Sequence, residues 1–175
     1  MPIYSLDNAA YTQRVHANGR PPDQQFDPAD RLFRRYPKKY LINGMPVPIA
    51  MQALQFDQNS GMSVNWSRYS EPQDVLEPDC CEGNHRHDCV VLAFAVSEVP
   101  PEVATVDEID GAFRFLPKHS PRIACHAHSE IWCNRSGDIG QPFERPPKHV
   151  RDEFRSRLAV PIQARTPLSF EPVAD

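Results

Sequence analysis

I-A-C-H-A-H-S-E-I-W-C-N, residues Ile123 to Asn134, sets two histidines, two cysteines, a serine and a glutamate into an otherwise apolar run. Read as a strand from Ile123 to Trp132, its side chains alternate between two faces. Cys125, Ala127, Ser129 and Ile131 then share a small, mostly apolar side. His126, His128, Glu130 and Trp132 share the other, which carries the reactive groups. That second face is the candidate site, and the rest of the chain is read for what could surround it.

Upstream, C-V-V-L-A-F-A-V at Cys89 to Val96 is a continuous β-branched and aromatic run, the pattern of a central strand covered on both faces. Ala112 to Leu116 alternates as a half-buried strand that Pro117 should stop, and Met62 to Trp66 reads as another strand after the turn Asp57 to Gly61. Met51 to Phe56 adds an apolar segment, and Lys38 to Met45 a short strand turning at Asn43-Gly44. Arg31 to Tyr36 fits a helical face about as well as a strand. Ser70-Glu71-Pro72 has the form of a short helix start, with Ser70 as N-cap and Val75-Leu76 as its buried side. Val106 to Asp110 suits a brief helix. His149 to Val160 is the clearest helix, with Val150, Phe154 and Leu158 on one face and Arg151, Glu153, Arg155 and Arg157 outside.

The sum is a single α+β domain over 30–160, with a mixed or mostly antiparallel sheet of about five or six strands, short helices and a C-terminal helix. A polar arm, 1–29, precedes it, and an extended tail, 161–175, follows.

Composition agrees. The 175 residues include 19 prolines and only 7 glycines, which argues for short elements joined by stiff loops and against a helical bundle. The formal charge of −4 supplies no global field that would draw in nucleic acid. Local basic clusters, at Arg34-Arg35, Lys38-Lys39 and along Arg151, Arg155 and Arg157, could still meet phosphate if they converge. No apolar run reaches the roughly 20 residues that cross a bilayer, and the start lacks a basic region followed by an apolar one, so a cytoplasmic protein without membrane contact is expected. Five cysteines, an odd count, suit reduced thiols or a metal site better than a disulfide framework.

Cysteines and histidines fall mainly in two windows. In the first, Cys81, His85, His87 and Cys89 are ligand types that zinc prefers, spaced so that a tight loop could bring them to one ion. A polar surface loop with incidental thiols is the other reading. In the second window His126 and His128 could hold a metal, act as an acid–base pair, or be hydrogen-bonded structural histidines. Cys125 and Cys133 suit small core positions.

Taken in chain order, L-F-R-R at Leu32 to Arg35, G-M-S-V-N-W at Gly61 to Trp66, the apolar strand, and H-A-H-S-E-I-W form the series arginine, serine, apolar strand, glutamate. That series resembles the Arg–Ser–Glu order of ADP-ribosyltransferase-like toxins and effectors. The resemblance implies NAD as cofactor or substrate, with Arg34 or Arg35 on its phosphates, Ser63 near the nicotinamide ribose and Glu130 orienting a ribose hydroxyl. Met62-Ser63-Val64 stands where that group has Ser-Thr-Ser, and His128 stands where it has a second acidic residue. From Leu32 to Trp132 the chain also resembles a group of small bacterial proteins to which no activity is attached, which implies a bacterial source and a self-contained domain.

The residues together point to an enzyme acting on a nucleotide or phosphodiester, with Arg34 or Arg35 binding phosphate, His126 or His128 moving a proton, and Ser63 and Glu130 beside them. Its partner would be a small nucleotide. Two readings from other classes stand beside it: a zinc-stabilised accessory module, and a protein that binds another protein in an immunity or defence role without catalysis.

Overall fold

A computed structural model of the chain describes residues 20–47, 54–77, 87–105, 111–122 and 125–170. Six strands form one antiparallel sheet: β1 (Arg31–Pro37), β4 (Met62–Trp66), β5 (Cys89–Ala95), β6 (Glu102–Ala104), β7 (Ala112–His119) and β8 (His128–Asn134), in the order β5-β1-β4-β8-β7-β6. A two-stranded hairpin, β2 (Leu41–Ile42) and β3 (Met45–Pro46), sits apart. Among the described residues one α-helix, α1 (Lys148–Gln163), follows the sheet. The fold is therefore a single α+β domain. No helix among the described residues is long and apolar enough to cross a membrane.

Alternation along the strands divides the sheet into two faces. Leu32, Tyr36, Met62, Val64, Trp66, Phe113, Phe115 and Ile131 point to the side that α1 covers with Val150, Phe154, Leu158, Ala159 and Ile162. Phe154 is the centre of this layer: its ring stacks 4.2 Å from that of Phe115 and meets Phe56 edge-on at 5.3 Å. The opposite face has a thinner cover, a 3-10 turn at Pro72–Leu76 whose Val75 and Leu76 pack with Phe33, Cys89 and Val91. That partial cover leaves the β4–β8 region of this face open.

Several local expectations meet a tertiary reason to differ. Arg31 to Tyr36 resolves as a strand because both its edges are paired, to β4 and to β5. The Lys38 to Met45 stretch begins with a 3-10 turn at Lys38–Tyr40, and its Asn43-Gly44 corner has φ 51 and 77, the paired positive values of a type I′ hairpin turn. Glu71, not Ser70, takes the N-cap of the 3-10 turn, and its backbone N–H donates to Asp74 Oδ2 at 2.6 Å. The Ser70 hydroxyl is drawn back to the Trp66 carbonyl.

Pro117 does not end its strand. Phe115 N–H donates to Pro101 O and His119 N–H to Gln24 Oε1, so odd-numbered amides of β7 face away from β8. Position 117 lies between them and β6 pairs only as far as Arg114, so no ladder bond is lost there.

The apolar run Cys89 to Val96 forms β5 at the sheet edge rather than its centre. It reads as doubly covered because both its faces are packed, Val90, Leu92 and Phe94 in the layer under α1 and Cys89 and Val91 under the 3-10 turn; its outer edge is closed by Leu168, which exchanges both backbone hydrogen bonds with Val91 at 2.9 Å. The helix runs past Pro161 to Gln163, so the tail begins later than expected. Residues 20–29 of the polar arm, expected to be loosely ordered or laid over the surface, form a strap together with Asp30. Phe26 stacks 3.9 Å from Trp66, and the Gln24 side-chain amide pairs with the backbone of His119 through both its oxygen and its nitrogen. The brief helix expected at 106–110 lies outside the described residues.

Candidate functional site

The β1–β4 ladder is short. It pairs Leu32 with Trp66 and Phe33 with Asn65 and stops there, although both strands continue. Beyond that point the strands part, and a guanidinium N–H of Arg34 donates to the Ser63 carbonyl, supplying the donor that a paired strand would have provided. Burial, with Arg35 beside it, pushes the Arg34 pKa down to about 10, so the group stays cationic at neutral pH.

The parting opens a cleft of about 210 Å³ lined by Arg34, Arg35, Asp57, Ser63, Asn65, Arg122 and His128, with Phe33 and Val75 on its apolar side. Three arginines against one aspartate give it a cationic lining. On its β8 side the register sets Ser63 opposite Glu130 and Asn65 opposite His128. Gly61 allows this close seating, since a Cβ there would lie 2.3 Å from the Ile131 carbonyl oxygen.

His128 is held by its backbone-facing nitrogen. Nδ1 lies 2.7 Å from the Ser120 carbonyl oxygen, which can only accept, so Nδ1 carries the proton. Nε2 is then the acceptor, and it faces Ser63 Oγ at 3.4 Å. The result is a serine hydroxyl before a histidine whose tautomer is fixed from behind, a looser pair than in an engaged site. Glu130 accepts a hydrogen bond from the Ser120 hydroxyl at 2.9 Å. It is nearly buried and does not line the cleft.

The cleft thus brings together Arg34, Arg35, Ser63 and His128 of the residues singled out from sequence. His126 is elsewhere. Residues 126 and 127 form a turn, and β8 starts only at His128, because Arg122 and Cys125 bridge across the chain and bend it. The even alternation expected from Ile123 therefore fails, and the two histidines do not share a face. The His126 ring packs edge-on to Tyr69 at 4.5 Å and to His119 at 4.8 Å, with its Nδ1 buried and unpartnered among the described residues.

Cys125 is disulfide-bonded, its partner lying outside the described residues. Cys125 thus departs from the expectation of reduced thiols, while Cys89 and Cys133 keep theirs, as expected. The Cys125 sulfur also accepts from Asn65 Nδ2 at 3.7 Å, joining the turn to the cleft. Cys133 is a buried core thiol whose pKa burial raises to about 12. Of the four zinc candidates, Cys81 and His85 lie outside the described residues. Cys89 is a buried residue at the start of β5, its thiol 3.7 Å from Asp88 Oδ1. Among the described residues no group of three or more His, Cys, Asp or Glu side chains could hold a metal ion.

Asn65, Ser120 and Arg122 were not singled out from sequence. Asn65 was open to notice, since it shares the β4 face of Ser63 by alternation. Ser120 and Arg122 sit in the β7–β8 connection, where no periodicity marks a position. No protein-family model, curated protein or solved structure matches the chain.

Proposed function

We propose that the chain is an enzyme that cleaves a small phosphodiester, a nucleotide-type ester in the first instance, in the cleft between β1 and β4. The carrying observation is Ser63 Oγ facing Nε2 of His128, the nitrogen left free to accept in the neutral ring because Nδ1–H donates to the Ser120 carbonyl. In this reading Ser63 Oγ attacks phosphorus and His128 Nε2 takes its proton. The P–O bond to the leaving group breaks, and the leaving oxygen receives that proton from His128. Water, deprotonated by the same nitrogen, then attacks phosphorus in the seryl phosphodiester; the P–Oγ bond breaks and His128 returns the proton to Ser63 Oγ. Arg35 and Arg122 hold the non-bridging oxygens, while Arg34 is committed to the Ser63 carbonyl.

The cleft volume suits a phosphate with its sugar rather than a whole dinucleotide. Glu130 supports His128 through Ser120 rather than meeting a ribose, so the reading needs neither NAD nor zinc.

The test is hydrolysis of bis(p-nitrophenyl) phosphate and of a panel of cyclic and linear dinucleotides, with NAD included. Ser63→Ala and His128→Ala should each lower the rate about 10²–10⁴-fold while the melting temperature stays within a few degrees. Turnover that survives in both variants, or no turnover of any phosphodiester by the native chain, would sink the assignment.

A further inference from the structure

A second cationic cavity lies on the other side of the sheet. It measures about 260 Å³ and is lined by Arg145, Lys148, Arg151 and Arg155, by Asp152, and by Gln55 and Phe56. Four cations face one carboxylate, and that carboxylate is already shared: Asp152 meets Lys148 Nζ at 2.6 Å and an Arg155 amino nitrogen at 3.5 Å. Arg151 spends one N–H on the Pro146 carbonyl.

Two features mark the cluster as unbalanced. Lys148, Arg151 and Arg155 occupy the first turns of α1, whose opening turn holds no acidic residue and whose N-cap is Pro147, with no side-chain cap. Cations at the positive end of a helix dipole repel it, the reverse of the usual arrangement. In addition, Arg155 is mostly buried, and its Nε has no hydrogen-bond partner among the described residues. A buried guanidinium donor left unsatisfied is unfavourable unless something fills the site.

We propose that this cavity is a binding site for a compact polyphosphate group, two or three linked phosphates, whose oxygens would take the Arg155 Nε–H and bridge Arg145, Lys148 and Arg151. A single phosphate satisfies fewer of these donors, and a fork of guanidinium groups matches linked tetrahedral oxyanions. The site is independent of the Ser63 cleft, since Phe56 and α1 belong to the helix-covered layer. It stands whether or not the chain hydrolyses anything.

The experiment is titration calorimetry of the full chain with inorganic tripolyphosphate, run beside sulfate at matched ionic strength. A saturable isotherm is expected whose tighter step is weakened at least about tenfold in Arg151→Gln/Arg155→Gln and is retained in Arg35→Gln/Arg122→Gln, which removes only binding at the Ser63 cleft. Should the first pair fail to fold, Arg145→Gln/Lys148→Gln removes the same charge from two exposed positions and should weaken binding in the same direction. Loss of the tighter step in the Arg35/Arg122 variant alone would place the anion in the Ser63 cleft and overturn the proposal. Equal response to sulfate, or no saturable binding, would overturn it too.

Discussion

The carbonyl oxygen of Ser120 lies 2.7 Å from Nδ1 of His128, and the hydroxyl of the same serine donates to Glu130 at 2.9 Å. One loop residue therefore ties a carboxylate to the orientation of an imidazole. Glu130 touches neither the cleft nor the histidine, so its contribution passes through Ser120.

Glu130→Gln keeps the shape and keeps an acceptor for the Ser120 hydroxyl, whereas Glu130→Ala leaves that hydroxyl without its partner. On the proposed phosphodiester reaction, Glu130→Ala should lower kcat about tenfold with KM little changed, because the substrate does not meet residue 130. Glu130→Gln should recover most of the rate. A fall in KM and kcat together, with no rescue by glutamine, would show instead that Glu130 reaches the substrate.

The strap at residues 20–30 should be a stabilising element. Phe26 stacks on Trp66, Asp23 N–H donates to His119 Nδ1 at 2.8 Å, and the Asp23 carboxylate takes Arg68 and Tyr69. Phe26→Ala removes a half-buried aromatic from a fully buried tryptophan, and a loss of about 2 kcal/mol is expected, somewhat below a core Phe→Ala. Urea unfolding followed by tryptophan fluorescence reads both the stability and the Trp66 environment. An unchanged midpoint would mean that residues 20–30 only rest on the surface.

Strand periodicity was legible wherever the two faces of the sheet differ. Met62 to Trp66 alternates because Ser63 and Asn65 face the cleft while Met62, Val64 and Trp66 face α1. What escaped was set by pairings that leave no periodic mark, near or distant in sequence. Continuous apolarity in Cys89 to Ala95 reports cover on both sides, not position in the strand order, and the edge is closed by Leu168. A turn at His126 cannot be seen from residues that alternate well in isolation, because the Arg122–Cys125 bridge that bends the chain has no periodic signature. Arg34 was legible as a cation, but its role at the parting of β1 and β4 depends on where a ladder stops.

The buried pair His119 and His126 should make stability fall with acid in a window of its own. Burial, then the Arg20 and His119 charges, push the His126 pKa down to about 4, and burial is also the largest cause lowering His119. The unfolded chain, with histidines near their ordinary 6.5, binds more protons below that value than the folded chain does. Their neutral, buried state is therefore fully favourable above pH 6.5, and its benefit is lost as pH falls from there toward about 4 for His126. The slope has a ceiling of roughly 1.4 kcal/mol per pH unit for each proton. Asp23 and Glu98 are held below their ordinary 3.8 and 4.5, Asp23 chiefly by the Gln25 backbone N–H and Glu98 by Arg165, so their contribution is lost only as pH falls below about 4.5 and leaves the pH 5 to 7 comparison to the histidines. Urea midpoints between pH 7 and 5 should drop steeply in the native chain and less steeply in His126→Gln, whose side chain does not titrate. The comparison uses slopes, so a general loss of stability in the variant does not obscure it. Parallel slopes would show that His126 takes up its proton at the same pH folded and unfolded.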